Sequence, residues 1–191
     1  MDQMWILETI NKVLTQPTKF FASLKKEKNI NKALLYLCFI AVVDTVLSVL
    51  FPIKYPNVMF FPAIFALFEN PIILFVLVFF GSLVLNFLLA HLVNRLIPHT
   101  QKKDSFSLTF QVLTYGSTPS LLRRIPFIGI LFSLWSYYLM TKGLAIVHKK
   151  PMWDAFFTLL IAAIILVIII VFIAAIGFLL ALAHLQQTTI G

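Results

Sequence analysis

A single carboxylate, Asp44, interrupts the apolar run from Ala33 to Ile53 and raises the most direct chemical question in the chain. An acid in the middle of such a run costs about 2.5–3.5 kcal/mol on insertion scales, so it must be protonated or held by a partner. Desolvation favours the neutral acid unless a cation such as Arg95 or Arg124 lies near. Two roles follow: a group that handles protons or ions, or a packing residue hydrogen-bonded to the polar side chains of a later helix. The other polar candidates on apolar segments are Asn86, which shares a stripe with Ser82; His91 and Arg95, four residues apart on a second stripe; and Gln111 and Tyr115.

The remaining chemistry-bearing residues do not assemble into a catalytic signature. His91, His99, His148 and His184 lie in separate segments without the paired spacing of a metal-binding helix, so no metal and no cofactor is expected. The chain has no glycine-rich phosphate loop, no nucleophile elbow and no pair of embedded carboxylates, and an enzyme is not expected. Cys38, the sole cysteine, sits in an apolar run and reads as core, with no disulfide framework.

These residues must be positioned by elements that are themselves apolar. The 191 residues are 61% hydrophobic and 12% charged, with a mean hydropathy of +0.98, which is the composition of a polytopic membrane protein. The formal charge of +8 is concentrated in short segments flanking the apolar runs, a topological signal and not a nucleic-acid patch. The first 32 residues lack a continuous apolar core and a small-residue cleavage site, so a cleavable signal peptide is not expected.

The fold class read from these patterns is all-α: a polytopic membrane helix bundle of five transmembrane helices preceded by amphipathic interfacial helices. Residues 1–32 form the cytoplasmic amphipathic segment and residues 33–191 the membrane domain. Ile6, Ile10, Val13 and Leu14 recur at helical spacing, and after Pro17 the residues Phe20, Phe21 and Leu24 share a face while lysines supply charge. Trp5, Phe20, Phe21, Lys25 and Lys26, with Tyr36 and later Trp153, suit headgroup depth, and the lysines favour anionic lipids; the alternative is a solvated cap that packs under the bundle. The spacing predicts spans over about 33–53, 71–97, 106–122, 125–147 and 155–185, with 60–68 as a short interfacial or re-entrant piece. In the third, Ser107, Gln111, Thr114, Tyr115 and Thr118 recur every three or four residues and are expected on a single face toward other helices.

Between the third and fourth spans, Gly116, Thr118, Pro119, Arg123, Arg124, Pro126 and Gly129 concentrate helix breakers, small residues and charge, which predicts a packed hairpin. Gly129 and Ser133, and farther on Gly177 and Ala181, are spaced for close helix approach. With five spans and a cytoplasmic N-terminus, twelve basic residues fall on the cytoplasmic side and three, Lys54, Arg123 and Arg124, on the other. A re-entrant third helix leaves nearly the same asymmetry.

The segments Pro17 to Phe21, Ser105-Phe106, Tyr115-Gly116-Ser117-Thr118-Pro119, Ile125-Pro126-Phe127-Ile128-Gly129 and Gly143-Leu144 occur in the order of a recurring pattern, and through them the chain resembles the Yip1-domain family over nearly its whole length. The resemblance implies a five-span fold with a cytoplasmic N-terminus. It also implies a non-enzymatic role in membrane organisation of the kind associated with vesicle traffic. The short basic N-terminal segment departs from relatives that bind Rab-type GTPases, so GTPase binding is not expected, and the chain is similar to the short prokaryotic members. The expected partners are the bilayer, including anionic lipids, and unidentified membrane proteins in homo- or hetero-oligomers. The expected location is a prokaryotic cell membrane with the C-terminus outside, the alternative being an endoplasmic reticulum or Golgi membrane. The competing function is a small transporter or channel with a polar pathway through Asp44, Asn86, Gln111 and Tyr115 and the broken helix at Pro119.

Overall fold

The computed structural model describes residues 4–25, 30–51, 70–97, 105–125 and 128–190, with side chains as far as residue 179. The expectations for Lys26, Lys54, Pro126, His99, the 60–68 piece and the basic loop at 101–103 lie outside the described residues, as do those for the side chains of Ala181 and His184. Every described regular element is helical: α1 (Met4–Thr15), α2 (Pro17–Ser23), α3 (Ile30–Leu50), α4 (Pro71–Leu96), α5 (Ser105–Gly116), a 3-10 segment (Thr118–Leu122), α6 (Gly129–His148) and α7 (Met152–Ile190). By length and hydropathy α3, α4, α6 and α7 suffice to cross a membrane. The five-span architecture holds approximately, because the remaining pass is composite.

That pass, expected over 106–122 with a break at Pro119, is interrupted slightly earlier. The α-helix stops at Gly116, and the chain tightens into a 3-10 turn because Pro119 offers no N–H and its ring excludes the preceding carbonyl from the usual ladder. Hydroxyls take over the loosened carbonyls: Ser117 Oγ donates to Thr114 O at 2.7 Å and Ser120 Oγ to Ser117 O at 2.6 Å. The next helix begins at Gly129 and not at 125. α4 starts where Pro71 predicts, with the Asn70 side chain accepting from the N–H groups of Ile72 and Ile73. At 39 residues, or ~58 Å at 1.5 Å per residue, α7 overshoots the expected 155–185 at both ends and exceeds a hydrocarbon core of ~30 Å.

Pairings across the bundle fix the helix directions. Thr109 lies opposite His148 and Gly116 opposite Met140, so α5 and α6 run antiparallel. Ser105 meets Asn94 and Thr114 meets Asn86, so α4 is antiparallel to α5 as well. Tyr36 meets Thr118 and Asp44 meets Arg123, so α3 runs parallel to α5. The short α5 is the centre, with every residue from Thr109 to Gly116 buried. The polar face expected for it does meet other helices, though it meets several neighbours and not one. Gln111 bonds within its own helix to Ser107, Thr114 reaches α4, Tyr115 packs on Phe20 and Tyr36, and Thr118 reaches α3.

Two glycines let the hairpin close. A Cβ at Gly116 would stand 2.8 Å from Met140 Cγ and 3.0 Å from its backbone N, so a larger residue would push α5 off α6. At Gly129 it would fall 2.0 Å from the carbonyl oxygen of Arg123, inside the turn itself. Gly177 has nothing within 4 Å of that position, so the close-packing face expected there meets no partner among the described residues.

The N-terminal helices pack on the bundle. Phe21 is fully buried, its ring 3.0 Å from the Cβ position of Gly143, and Phe20 stacks edge-on against Tyr115 with centroids 5.2 Å apart. Trp5 is half-buried beside Tyr36, which is itself fully buried. Trp5, Phe20, Phe21 and Tyr36, expected at headgroup depth, pack α1 and α2 against the bundle. Trp153, 71% exposed at the start of α7, does stand on the surface.

Candidate functional site

The hairpin turn delivers two guanidinium groups to one carboxylate. Arg123, one residue past the 3-10 segment, donates from Nε to Asp44 Oδ1 at 3.1 Å and from Nη2 to Oδ2 at 2.6 Å, the two-pronged geometry that suits a planar fork against a carboxylate. Arg124 approaches the same carboxylate with its Nε 3.6 Å from Oδ1, too far for a hydrogen bond, and this nitrogen is buried with no partner among the described residues. The Asp44 side chain is 6% exposed, that of Arg124 15% and that of Arg123 44%. One acid against two cations leaves a net local charge of +1. On the sequence grounds above, Arg124 was a candidate counter-ion and Arg123 was not singled out for that role. Arg95 is exposed near the far end of α4, and neighbouring His91 is exposed with its ring 6.4 Å from Phe106, so neither is an embedded partner.

Beside this ion pair lies a half-open cavity of about 360 Å³ bordered by α3, α4, the 3-10 segment, α6 and α7. Asp44 and Asn86 both line it, whereas Gln111 and Tyr115 do not, so the polar pathway expected from sequence does not form a single line. Its walls also carry Ser82, Ser117, Ser120, Ser133, Ser136 and Tyr137. Most of these hydroxyls are engaged: Ser82 Oγ with Phe79 O, Ser133 Oγ with Gly129 O and Tyr137 Oη with Phe156 O. Ser136 is the exception, 6% exposed, with its Oγ lacking a partner among the described residues.

A second polar knot, not anticipated from sequence, ties the opposite end of the bundle. Thr109 Oγ1 lies 2.9 Å from His148 Nε2, and Asn94 Oδ1 accepts from Ser105 Oγ at 2.8 Å. Halfway between the knots, Tyr36 Oη and Thr118 Oγ1 are 2.8 Å apart and buried. Outside the spans, Lys25 comes close to Lys149, and burial first, then repulsion from that second ammonium, lowers the Lys25 pKa from its ordinary 10.5. Among the described residues no three His, Cys, Asp or Glu side chains gather as a metal site would require, and Cys38 is a half-buried thiol.

A bundle of apolar helices long enough to cross a bilayer, stitched by hydroxyls and by the pairing of Asp44 with Arg123 and Arg124, defines the chain as an integral membrane protein of the helical polytopic class. The Yip1 domain matches residues 11–181, and the chain belongs to the Yip1-domain family. No curated protein and no solved structure matches it.

Proposed function

We propose that the chain is a non-enzymatic membrane scaffold with a trafficking-like role, acting through contacts with the bilayer and with other membrane proteins. The observation that carries this reading is the commitment of Asp44: both carboxylate oxygens accept from Arg123, with Arg124 behind, which ties the acid down as a fixed strut between α3 and the hairpin turn. A carboxylate that hands on protons needs an oxygen free to meet donor and acceptor in turn, whereas both oxygens of Asp44 already accept from Arg123. The surface also supports the reading. Beyond Leu166 every described residue of α7 except half-buried Phe178 is exposed, Val167, Ile168, Val171, Phe172 and Ile173 among them.

In this proposal the N-terminus is cytoplasmic and the C-terminus outside, on the charge asymmetry of the flanking segments. GTPase binding is not part of it. The test is photo-crosslinking from benzoylphenylalanine placed at Phe172 or Ile168 in native membranes. Discrete protein adducts at both positions support a scaffold that uses α7, and lipid adducts alone overturn it. A second reading, a small transporter, draws on the meeting of Asp44 and Asn86 at one cavity. Flux measurements separate the two.

A further inference from the structure

The cavity beside Asp44 has two ends of different character. Leu37 to Asp44 on α3, Ser82 to Leu89 on α4 and Ser133 to Met140 on α6 each cover seven residue steps, ~10 Å along a helix. Because α3 runs opposite to α4 and α6, Asp44, Ser82 and Ser133 gather at one end with Arg123, while Leu37, Leu89 and Met140 gather at the other. The charged end opens outward, since Arg123 is 44% exposed, and Asp44 takes only two of the five guanidinium N–H donors. The charge there does not balance: one carboxylate faces two arginines, a surplus positive charge that is costly in an apolar bundle. Between the two ends Ser136 lines the cavity, and its covered hydroxyl, without a partner among the described residues, reaches the cavity by a change of χ1 rotamer. Native proteins rarely leave such a group unpaired, so it points to an acceptor inside the cavity.

We propose that this cavity binds an anionic, single-chain amphiphile. Its phosphate or carboxylate head meets the Arg123 fork and neutralises the surplus charge supplied by Arg124. Its ester or hydroxyl oxygen accepts from Ser136, and its acyl chain lies toward Leu37, Leu89 and Met140. The volume of about 360 Å³ falls within the ordinary range of small-molecule sites, about 300–1,000 Å³, in which apolar walls carry a few placed polar groups. This site is independent of the scaffold reading, and either stands if the other fails.

The experiment uses the purified full chain, stripped of lipid in detergent, and three probes: lysophosphatidic acid, with charge and chain; monoolein, with chain alone; and inorganic phosphate, with charge alone. Binding is read by native mass spectrometry and by the thermal unfolding midpoint. Lysophosphatidic acid should bind at least ten-fold more tightly than monoolein and raise the midpoint, and inorganic phosphate should do neither. Ser136→Leu, which fills the cavity, should weaken that binding at least ten-fold. Since a leucine there could disturb α6, Ser82→Leu fills the cavity from α4 and should act alike. Arg124→Gln removes the surplus charge without touching the two bonds from Arg123, and should reduce the preference for the anionic probe over monoolein several-fold. Equal affinity for charged and uncharged chains, a phosphate effect matching that of the lipid, or undiminished binding in both leucine variants would each overturn the assignment.

Discussion

Arg123 and Asp44, 79 residues apart, are joined by two hydrogen bonds of 3.1 and 2.6 Å that fasten the hairpin turn between α5 and α6 to the buried face of α3. Breaking one side of a buried pair leaves an uncompensated charge, an effect of about 3–5 kcal/mol, whereas replacing both sides by apolar groups is often nearly neutral. Arg123→Gln and Asp44→Asn should each lower stability in detergent markedly, Arg123→Gln less because its side chain is half exposed. The triple variant Asp44→Leu/Arg123→Met/Arg124→Met, which also removes the second cation, should recover much of the loss. Reversible denaturation of the set checks this, and additive losses would show that the pair is not coupled.

Gly129 lies where no other residue fits, because a Cβ would overlap the carbonyl of Arg123, a backbone atom that cannot swing aside. Gly129→Ala should therefore cost about 1–3 kcal/mol and Gly129→Leu more. Gly177→Ala, with open space around it, should change little. Equal thermal midpoints for the Gly129 and Gly177 alanine variants would contradict the close approach.

The charge pattern predicts the sidedness of single cysteines in a background without Cys38. In intact cells an impermeant thiol reagent should label Thr189→Cys and spare Lys103→Cys, following the excess of basic residues on the inner segments. Protection at position 189 in sealed cells, with labelling after lysis, would refute a cytoplasmic N-terminus joined to an odd number of spans.

Lys25 supplies a pH test away from the membrane-spanning helices. Burial and then Lys149 lower its pKa in the folded chain below the ordinary 10.5, so in the window between those two values the unfolded chain holds more protons. Stability from this group is thus lowest below the depressed value and rises as pH climbs through it toward 10.5. Lys149→Gln should raise the Lys25 pKa and flatten that rise, as monitored by thermal midpoints across alkaline pH. An unchanged profile would mean that Lys149 does not act on Lys25.

Hydropathy made the long helices legible, and Pro71 and Pro119 made one start and one break legible, because chain connectivity alone decides those features. The site was harder to read. Arg123 and Arg124 look like ordinary charges in a loop flanking a span, and only the tightening of the chain after Gly116 turns the first of them onto Asp44. Polar spacing along α5 pointed to contacts with other helices but not to which helix, because threonine and serine hydroxyls find acceptors one turn back as well as on different neighbours. Phe20, Phe21 and Tyr36 show a similar limit, since an apolar face pattern is the same whether it meets lipid or protein. His148 and Thr109 pair across 39 residues without any sequence signal that joins them.

Asp44 is proposed above as a structural strut and not a carrier of protons. The most direct measurement is proton flux driven by a pH gradient in proteoliposomes containing wild type or Asp44→Asn, with thermal stability read on the same preparations. The account predicts flux at the level of protein-free vesicles for both proteins and a clearly lowered unfolding midpoint for Asp44→Asn. A wild-type flux that Asp44→Asn abolishes while the midpoint stays unchanged would contradict it and establish the transporter.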